Sequence, residues 1–252
     1  MQHKPARIKT TDLSKTALVI TAAGKGVRFG GYKQIAPLNG KPLIVHAIEA
    51  FFGLPFHSRI IVLPPKMLTD NTWSSIVTKY PHAAEFEVVA GKDDRAGSVR
   101  AGIANAPRSC EFIVVHDGVR PFPPLQAMMD GLVVVKSEPD VAGAIVCSPV
   151  TDTIKRAPRG SMFVQRTEDR DDLRRAETPQ VAKRDLLMQA LSSVKPGDPP
   201  PTDEAEALER MKLKVALFSH DGFNPKITTP QDLIMAQSFI ASSAETQVPA
   251  GE

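Results

Sequence analysis

What most constrains this chain is an alternation of two periodicities. Short, fully apolar, β-branched runs are each followed by a turn and then by apolar residues at helical spacing. Residues 17–20 form the first such run and stop at the small-residue turn Thr21-Ala22-Ala23-Gly24. Pro42 then suits the first turn of a helix that puts Leu43, Ala47, Ile48 and Phe51 on one side. The pattern repeats as a strand at 59–63 with a helix at 68–80, then a strand at 86–90 with a helix at 98–106. A further strand at 112–115 enters the turn His116-Asp117-Gly118, a helix follows at 123–135, and 141–147 reads as another core strand. Such an order predicts an α/β fold whose sheet is mainly parallel and covered on both faces. Ligands in these sheets sit at the carboxyl ends of the strands, where the loops gather.

Between 150 and 166 the rhythm breaks into two short extended pieces around Ala157-Pro158-Arg159-Gly160, which reads as a β-hairpin arm projecting from the sheet. Helices at 184–191 and 203–211, a strand at 215–218 and a last helix from Pro230 complete the chain. With 252 residues, 42% of them apolar, the chain suits one domain over 16–242, with the arm at 150–168 and loose tails at 1–15 and 243–252. Lys and Arg number 31 against 28 Asp and Glu, and no long basic stripe is present, which disfavours a nucleic-acid binder. Cys110 and Cys147 are too far apart for a zinc or redox CxxC pair, so a reduced intracellular setting is expected. No run approaches the roughly 20 apolar residues of a membrane span, which leads us to expect a cytoplasmic protein without membrane contacts.

The segment from Ala22 to Gln34 carries the strongest chemical signal. Small residues let backbone amides approach phosphate oxygens, and Arg28 and Lys33 supply positive charge, so the segment reads as a polyphosphate cradle or, more plainly, a mobile βα loop. Gly24, Gly26 and Gly30 give GxGxxxG rather than the dinucleotide GxGxxG, and Gly31-Tyr32-Lys33-Gln34 lacks the Ser or Thr of a P-loop. Asp117 stands where a carboxylate commonly holds Mg²⁺ against nucleotide phosphates; alternatively it caps the next turn and Arg120 neutralises it. Ser98 suits either an N-cap or a contact to base and phosphate. Thr153, Arg170, Thr178, Thr202 and Lys226 taken singly read as caps or solvated charges. The six histidines have no HExxH or HxH spacing, and His116 reads as structural.

In order along the chain these segments resemble the 2-C-methyl-D-erythritol 4-phosphate cytidylyltransferases of the non-mevalonate isoprenoid pathway. The resemblance is carried by Ala-Ala-Gly-x-Gly-x-Arg at 22–28, Lys33-Gln34, Gly40-Lys41-Pro42, Arg95 with Ser98-Val99, Val115-His116-Asp117, Arg120-Pro121, Pro149-Val150 and Asp152-Thr153-Ile154-Lys155. It continues through Asp169-Arg170, Thr178-Pro179-Gln180, Thr202-Asp203-Glu204-Ala205 and Lys226-Ile227-Thr228. It implies an open, Rossmann-like nucleotidyltransferase sheet with an arm that builds a homodimer, and transfer of a cytidylyl group from CTP to the polyol phosphate 2-C-methyl-D-erythritol 4-phosphate, giving 4-diphosphocytidyl-2-C-methyl-D-erythritol and pyrophosphate, with Mg²⁺ as cofactor.

Carried over by motif, Arg28 and Lys33 would stabilise the triphosphate and Lys226 would grip the α-phosphate. Ala22, Ala23, Gly24, Gly26, Gly91, Asp93, Ser98 and Gly118 would form the CTP cleft. Asp117 would meet the acceptor or assist Mg²⁺, and Arg120, Thr178 and Thr202 would shape the acceptor pocket. Thr153 and Arg170 would reach the acceptor phosphate in the partner subunit's site. The chain departs from the family pattern at Tyr32, where proline is usual, at Lys92 and Pro225, and at Gly118-Val119. A ribitol 5-phosphate cytidylyltransferase and a CTP-binding regulator without catalysis are the alternatives. The chemistry suits a cationic site, because a phosphate nucleophile with a second pKa of about 6 needs no strong base.

Overall fold

Thr16–Thr21, six residues without a charge, form β1, and every one of them is buried. In the computed structural model residues 11–24, 26, 29–195 and 197–245 are described. β1 lies near the middle of a seven-stranded sheet. Its parallel neighbours are β4 (Ser58–Leu63), which in turn pairs with β5 (Glu87–Ala90), and β6 (Phe112–Asp117). β2 (Pro37–Leu38) and β3 (Lys41–Pro42) form a separate small ribbon ahead of α1 (Leu43–Ala50). Beyond β6 the sheet continues through β10 (Arg174–Lys183), β7 (Val141–Pro149) and β11 (Lys214–Ser219). β10 runs antiparallel to both its neighbours and β11 parallel to β7.

Period-two alternation divides the core between the two faces of the sheet. Leu18 and Ile20 join α1 and α5 (Leu125–Ser137) on one side, where Ile44, Ile48, Met128 and Leu132 are buried. Ala17 and Val19 face the other side with α4 (Arg95–Asn105), α6 (Arg184–Ser192) and α7 (Glu204–Arg210), through Val99, Ile103, Leu187 and Leu208. The parallel α/β architecture anticipated from the alternation is therefore present.

Four details differ from the sequence expectations. The single helix expected at 68–80 is two, α2 (Pro65–Thr69) and α3 (Thr72–Lys79). Asn71 between them takes a left-handed φ of 61° and the Asp70 carboxylate accepts the Thr72 N–H, a local alternative to helical bonding. α4 starts at Arg95 rather than Ser98, because Asp94 is its cap, accepting the Gly97 N–H at 2.6 Å. β6 continues through His116 and Asp117 instead of turning there. β10 had no counterpart, since its outer end is charged and exposed and its inner end buries Glu177, Thr178 and Gln180 in place of an alternating apolar pattern.

The arm is present as β8 (Lys155–Arg156) paired with β9 (Arg166–Thr167). Residues 11–15, expected within a loose tail, are anchored: Leu13 is fully buried and Lys15 pairs with Glu111 at 2.5 Å. α8 (Pro230–Glu245) ends the described chain, and the rest of the two expected tails lies outside the described residues. Among the described residues no helix is long and apolar enough to cross a membrane.

Candidate active site

Three strand ends converge on a cleft of about 290 Å³. After β1 the Ala22 N–H donates to the Val62 carbonyl, after β5 the Gly91 N–H donates to the Leu63 carbonyl, and after β6 the Gly118 N–H donates to the Thr21 carbonyl. These bonds extend the ladder one step past each strand and bring the three turns side by side. The approach is close enough to dictate residue type. A Cβ on Gly91 would stand 2.2 Å from the Ala23 Cβ, and one on Gly118 would stand 3.0 Å from the Ala22 Cβ. Gly26 has a φ of +62°, and a Cβ there would fall 1.8 Å from the Gly31 carbonyl oxygen. Arg28 lies outside the described residues. Lys33 lines the cleft with Ala22, Ala23, Gly24 and Asp93. Ser98 is buried; it accepts the Lys92 N–H and donates to the Asp94 carbonyl, both at 2.9 Å, and so shapes the turn before α4 instead of capping it.

The electrostatic centre is Asp117. Its Oδ1 accepts from Arg95 Nε at 3.2 Å, and its Oδ2 accepts from Lys226 Nζ at 2.9 Å and Arg120 Nε at 3.3 Å. Both arginines are also held from behind. Arg95 makes a bidentate pair with Glu204 at 2.6 and 3.1 Å, and Arg120 stands 3.9 Å from Glu177 while donating to the Asn224 carbonyl at 2.7 Å. The result is a buried chain of alternating charge, Glu204–Arg95–Asp117–Arg120–Glu177, with Lys226 attached at the middle. Burial works against the charge on Asp117, but Arg95, Lys226 and Arg120 outweigh it and hold its pKa well below the usual carboxylate range. Burial likewise opposes the charge on Arg95, and Glu204 and Asp117 overcome it and raise its pKa. The Lys226 side chain alone in this group is substantially exposed, at 41%.

Beneath Asp117 a relay of hydrogen bonds runs through Thr178 and His116. Its N–H donates to Thr178 Oγ1 at 3.0 Å, so the Thr178 hydroxyl proton goes to His116 Nδ1, also at 3.0 Å. The His116 Nε2–H then donates to the Arg120 carbonyl at 2.9 Å, which fixes the neutral tautomer. Burial pushes the His116 pKa down to about 4, and Phe51 packs edge-on against the ring at 5.0 Å. His116 is structural, in agreement with its reading from the sequence.

The remaining candidates are placed apart from the cleft. Arg120 and Thr178 stand behind Asp117. Thr202 is exposed, and its N–H and hydroxyl both donate to Glu206 at 2.7 Å in a helix-start arrangement capped by Asp203. Thr153 and Arg170 are exposed at the base of the arm, where Arg170 donates to the Thr151 carbonyl at 2.6 Å. Sequence reasoning gave no role to Glu177, Gln180, Glu204 or Asn224. Gln180 accepts the N–H groups of Glu204 and Ala205 and donates to Asp203, fixing the start of α7 and with it the anion behind Arg95. Gln180 and Glu204 do lie inside motifs the sequence analysis singled out, whereas Glu177 had no such signal. Among the described residues no group of three His, Cys, Asp or Glu side chains is arranged to hold a metal.

The sequence model of the family described as IspD, 2-C-methyl-D-erythritol 4-phosphate cytidylyltransferase, matches residues 16–242. A protein of that name from Alkaliphilus oremlandii is 32% identical over 236 residues, covering 93% of this chain and 98% of the relative. Another from Bacillus mycoides is 34% identical over 226 residues, covering 88% of this chain and 96% of the relative. Among solved structures, a 4-diphosphocytidyl-2C-methyl-D-erythritol synthase superposes with a TM-score of 0.71 at 28% identity, covering 90% of this chain and 98% of the other. The crystal structure of the synthase from Anaerococcus prevotii shares the fold, with a TM-score of 0.76 at 23% identity over 90% of this chain and 96% of that one.

Proposed function

Since the chain belongs to the 2-C-methyl-D-erythritol 4-phosphate cytidylyltransferase family, we propose that the cleft at the ends of β1, β5 and β6 is where the cytidylyl group is transferred. The protein is a nucleotidyltransferase that converts CTP and 2-C-methyl-D-erythritol 4-phosphate to 4-diphosphocytidyl-2-C-methyl-D-erythritol and pyrophosphate. The observation that carries the reading is the alternating charge chain, which leaves the Lys226 side chain half-exposed in the lining of the cleft while paired with Asp117.

In the reaction an oxygen of the acceptor phosphate forms a bond to the α-phosphorus of CTP, the bond from that phosphorus to the bridging oxygen breaks, and pyrophosphate leaves with the electron pair. The nucleophile is already ionised near neutral pH, so the residues work through position and charge. Ala22, Ala23, Gly24, Gly26, Gly91, Asp93, Ser98 and Gly118 form the nucleotide side, the close-packed turns excluding side chains where the phosphates approach. Arg28 and Lys33 meet the triphosphate, and Lys226, drawn from Asp117, meets the α-phosphate. Asp117 faces the acceptor, with Arg120 and Thr178 buried behind it and shaping that side through it, and Thr202 stands at the start of α7.

We expect Mg²⁺ to enter with the substrate: it takes one or two carboxylates plus phosphate oxygens, and the phosphate oxygens would hold it here, with Asp117 joining them once Lys226 turns from it to the α-phosphate. When bound it supplies neutralisation of the departing pyrophosphate.

We also read the protein as a cytoplasmic homodimer joined through the arm. The support is the exposure of Met162, Phe163 and Val164 at the arm's tip, at 96, 82 and 60%, a run of apolar side chains that a partner would cover. In this arrangement Thr153 and Arg170 serve the acceptor phosphate in the partner subunit's site.

Pyrophosphate release with CTP and Mg²⁺ tests the reading, with methylerythritol 4-phosphate and ribitol 5-phosphate offered separately. Release is expected with the first alone, and Lys33→Ala and Lys226→Ala each lose about 100- to 1,000-fold in turnover, the range seen when a group stabilising the transition state is removed. Release only with ribitol phosphate reassigns the acceptor, release with neither leaves a CTP-binding protein without catalysis, and near-wild-type rates in both variants remove the electrostatic mechanism.

A further inference from the structure

We infer that Glu177 is a positioning residue that holds the Lys226 segment and Arg120 in register, an inference that rests on the reading of Lys226 given above. The Glu177 carboxylate is 5% exposed and receives donors from three parts of the fold. Its Oε1 accepts from Ser148 Oγ on β7 at 2.7 Å, with Arg175 of its own strand 3.5 Å away. Its Oε2 accepts from Asn224 Nδ2 at 2.8 Å and from His220 Nε2 at 3.0 Å, and faces Arg120 at 3.9 Å.

Two of those partners lie on the stretch that delivers Lys226. Its ends are pinned to the sheet, because the His220 N–H donates to the Cys147 carbonyl at 3.1 Å and the Ile227 N–H donates to the Val119 carbonyl at 3.0 Å. Between those pins the chain has no regular secondary structure, and Asn224 is its buried anchor. The Asn224 amide group donates to Glu177 and to the Thr178 carbonyl at 2.9 Å, while its backbone carbonyl accepts from Arg120. Glu177 therefore fixes from one side the residue that both grips Arg120 and precedes Lys226 by two positions.

A buried carboxylate is a poor device for stability alone, because desolvating it offsets most of what its partners return and an apolar side chain of similar volume does as well. Besides Ser148 and Arg175, the donors converging here come from the segment that carries the proposed catalytic cation and from the arginine behind Asp117. Glu204 stands in the same relation to Arg95, so the two outer anions brace Asp117 from opposite ends.

Glu177→Gln keeps the shape and removes the charge and one acceptor oxygen. We expect kcat to fall about 10- to 100-fold, the scale of a sub-ångström to one-ångström misplacement of a catalytic group. KM for CTP stays within about threefold, because most of the nucleotide side is built on the loops after β1 and β5, which Glu177 does not touch, and the Lys226 contact is counted in the transition state. The discriminating measurement is coupling. If Glu177 acts through Lys226, the Glu177→Gln/Lys226→Ala double variant is slower than Lys226→Ala by no more than about threefold, whereas independent effects multiply. Asn224→Ala, which cuts the same link while leaving the carboxylate, shows the same kcat loss and the same coupling, and serves if Glu177→Gln does not fold. Wild-type kcat in a folded Glu177→Gln with a slow Lys226→Ala, or multiplicative losses in the double variants, overturns the inference alone. A Lys226→Ala enzyme at wild-type speed overturns the reading of Lys226 and this inference with it.

Discussion

Gly91→Ala adds a single methyl group at the tightest point of the cleft. Its Cβ would lie 2.2 Å from the Ala23 Cβ, whereas two such carbons rest at about 3.5–4.0 Å, so the two turns must part by roughly 1.3–1.8 Å. Retreat in other directions is limited by the Leu63 carbonyl oxygen at 3.3 Å and Ser98 Oγ at 3.4 Å. The displacement therefore falls on Ala23 and the loop that follows it, which lines the nucleotide side of the cleft. Overpacking of this kind costs about 1–3 kcal/mol, which for a chain of this size lowers Tm by roughly 2–12 °C. A shift of about 1 Å in the phosphate-facing loop costs about 100-fold in kcat/KM for CTP. The assay is pyrophosphate release across a CTP titration, beside thermal unfolding followed by circular dichroism. The clash has one identified partner, so Gly91→Ala/Ala23→Gly is expected to recover kcat/KM to within about fivefold of the enzyme with Ala23→Gly alone. A Gly91→Ala enzyme with unchanged kcat/KM for CTP refutes the argument, as does a double variant with no recovery.

His116 gives a pH prediction. Its folded pKa, about 4, lies below the unfolded value of about 6.5, so the stability of the buried neutral ring is fully present above pH 6.5 and is lost as pH falls toward 4. The shift corresponds to about 3 kcal/mol across that window, and His116→Gln, which does not titrate there, should show a correspondingly flatter chemical-denaturation stability between pH 6.5 and 4; an equal decline in both proteins removes this account. The arm is tested by mixing a Lys226→Ala subunit with an Arg170→Ala subunit. Random exchange makes half the dimers mixed, each with one intact site, so activity should recover to about a quarter of wild type. Verified heterodimers that stay inactive show that Arg170 does not act across the interface.

Much of this architecture is written locally. The uncharged run Thr16–Thr21 is buried on both faces and gives a central strand, and Ala22-Ala23-Gly24 directly after it gives a turn without side chains to obstruct a phosphate. Both are readable because they depend on residues adjacent in the chain. The break between α2 and α3 was missed because the apolar spacing runs across it, while Asp70 and Asn71 decide it by bonding and backbone conformation. β10 was missed for the opposite reason: Glu177, Thr178 and Gln180 are buried there with polar partners on other elements, so the strand lacks the pattern by which strands are recognised.

The same division holds at the site. Arg28 and Lys33 stand out in the sequence as cations beside a small-residue turn and suggest phosphate without knowledge of neighbours, whereas Asp117 reads either as a metal carboxylate or as a cap and Lys226 gains its role only through the family resemblance. Which anion braces each arginine is decided across long separations, 109 positions between Arg95 and Glu204 and 57 between Arg120 and Glu177. Those pairings exist because β10 enters antiparallel between β6 and β7 and carries Glu177, Thr178 and Gln180 under the strand ends. The sequence by itself determined the alternation, the strand-end loop and the sign of the charge around it, since each follows from local periodicity and residue type. Tertiary structure alone decided that Asp117 is held between two braced arginines with Lys226 left toward the cleft, because the energy of a buried charge depends on the partners that folding brings to it.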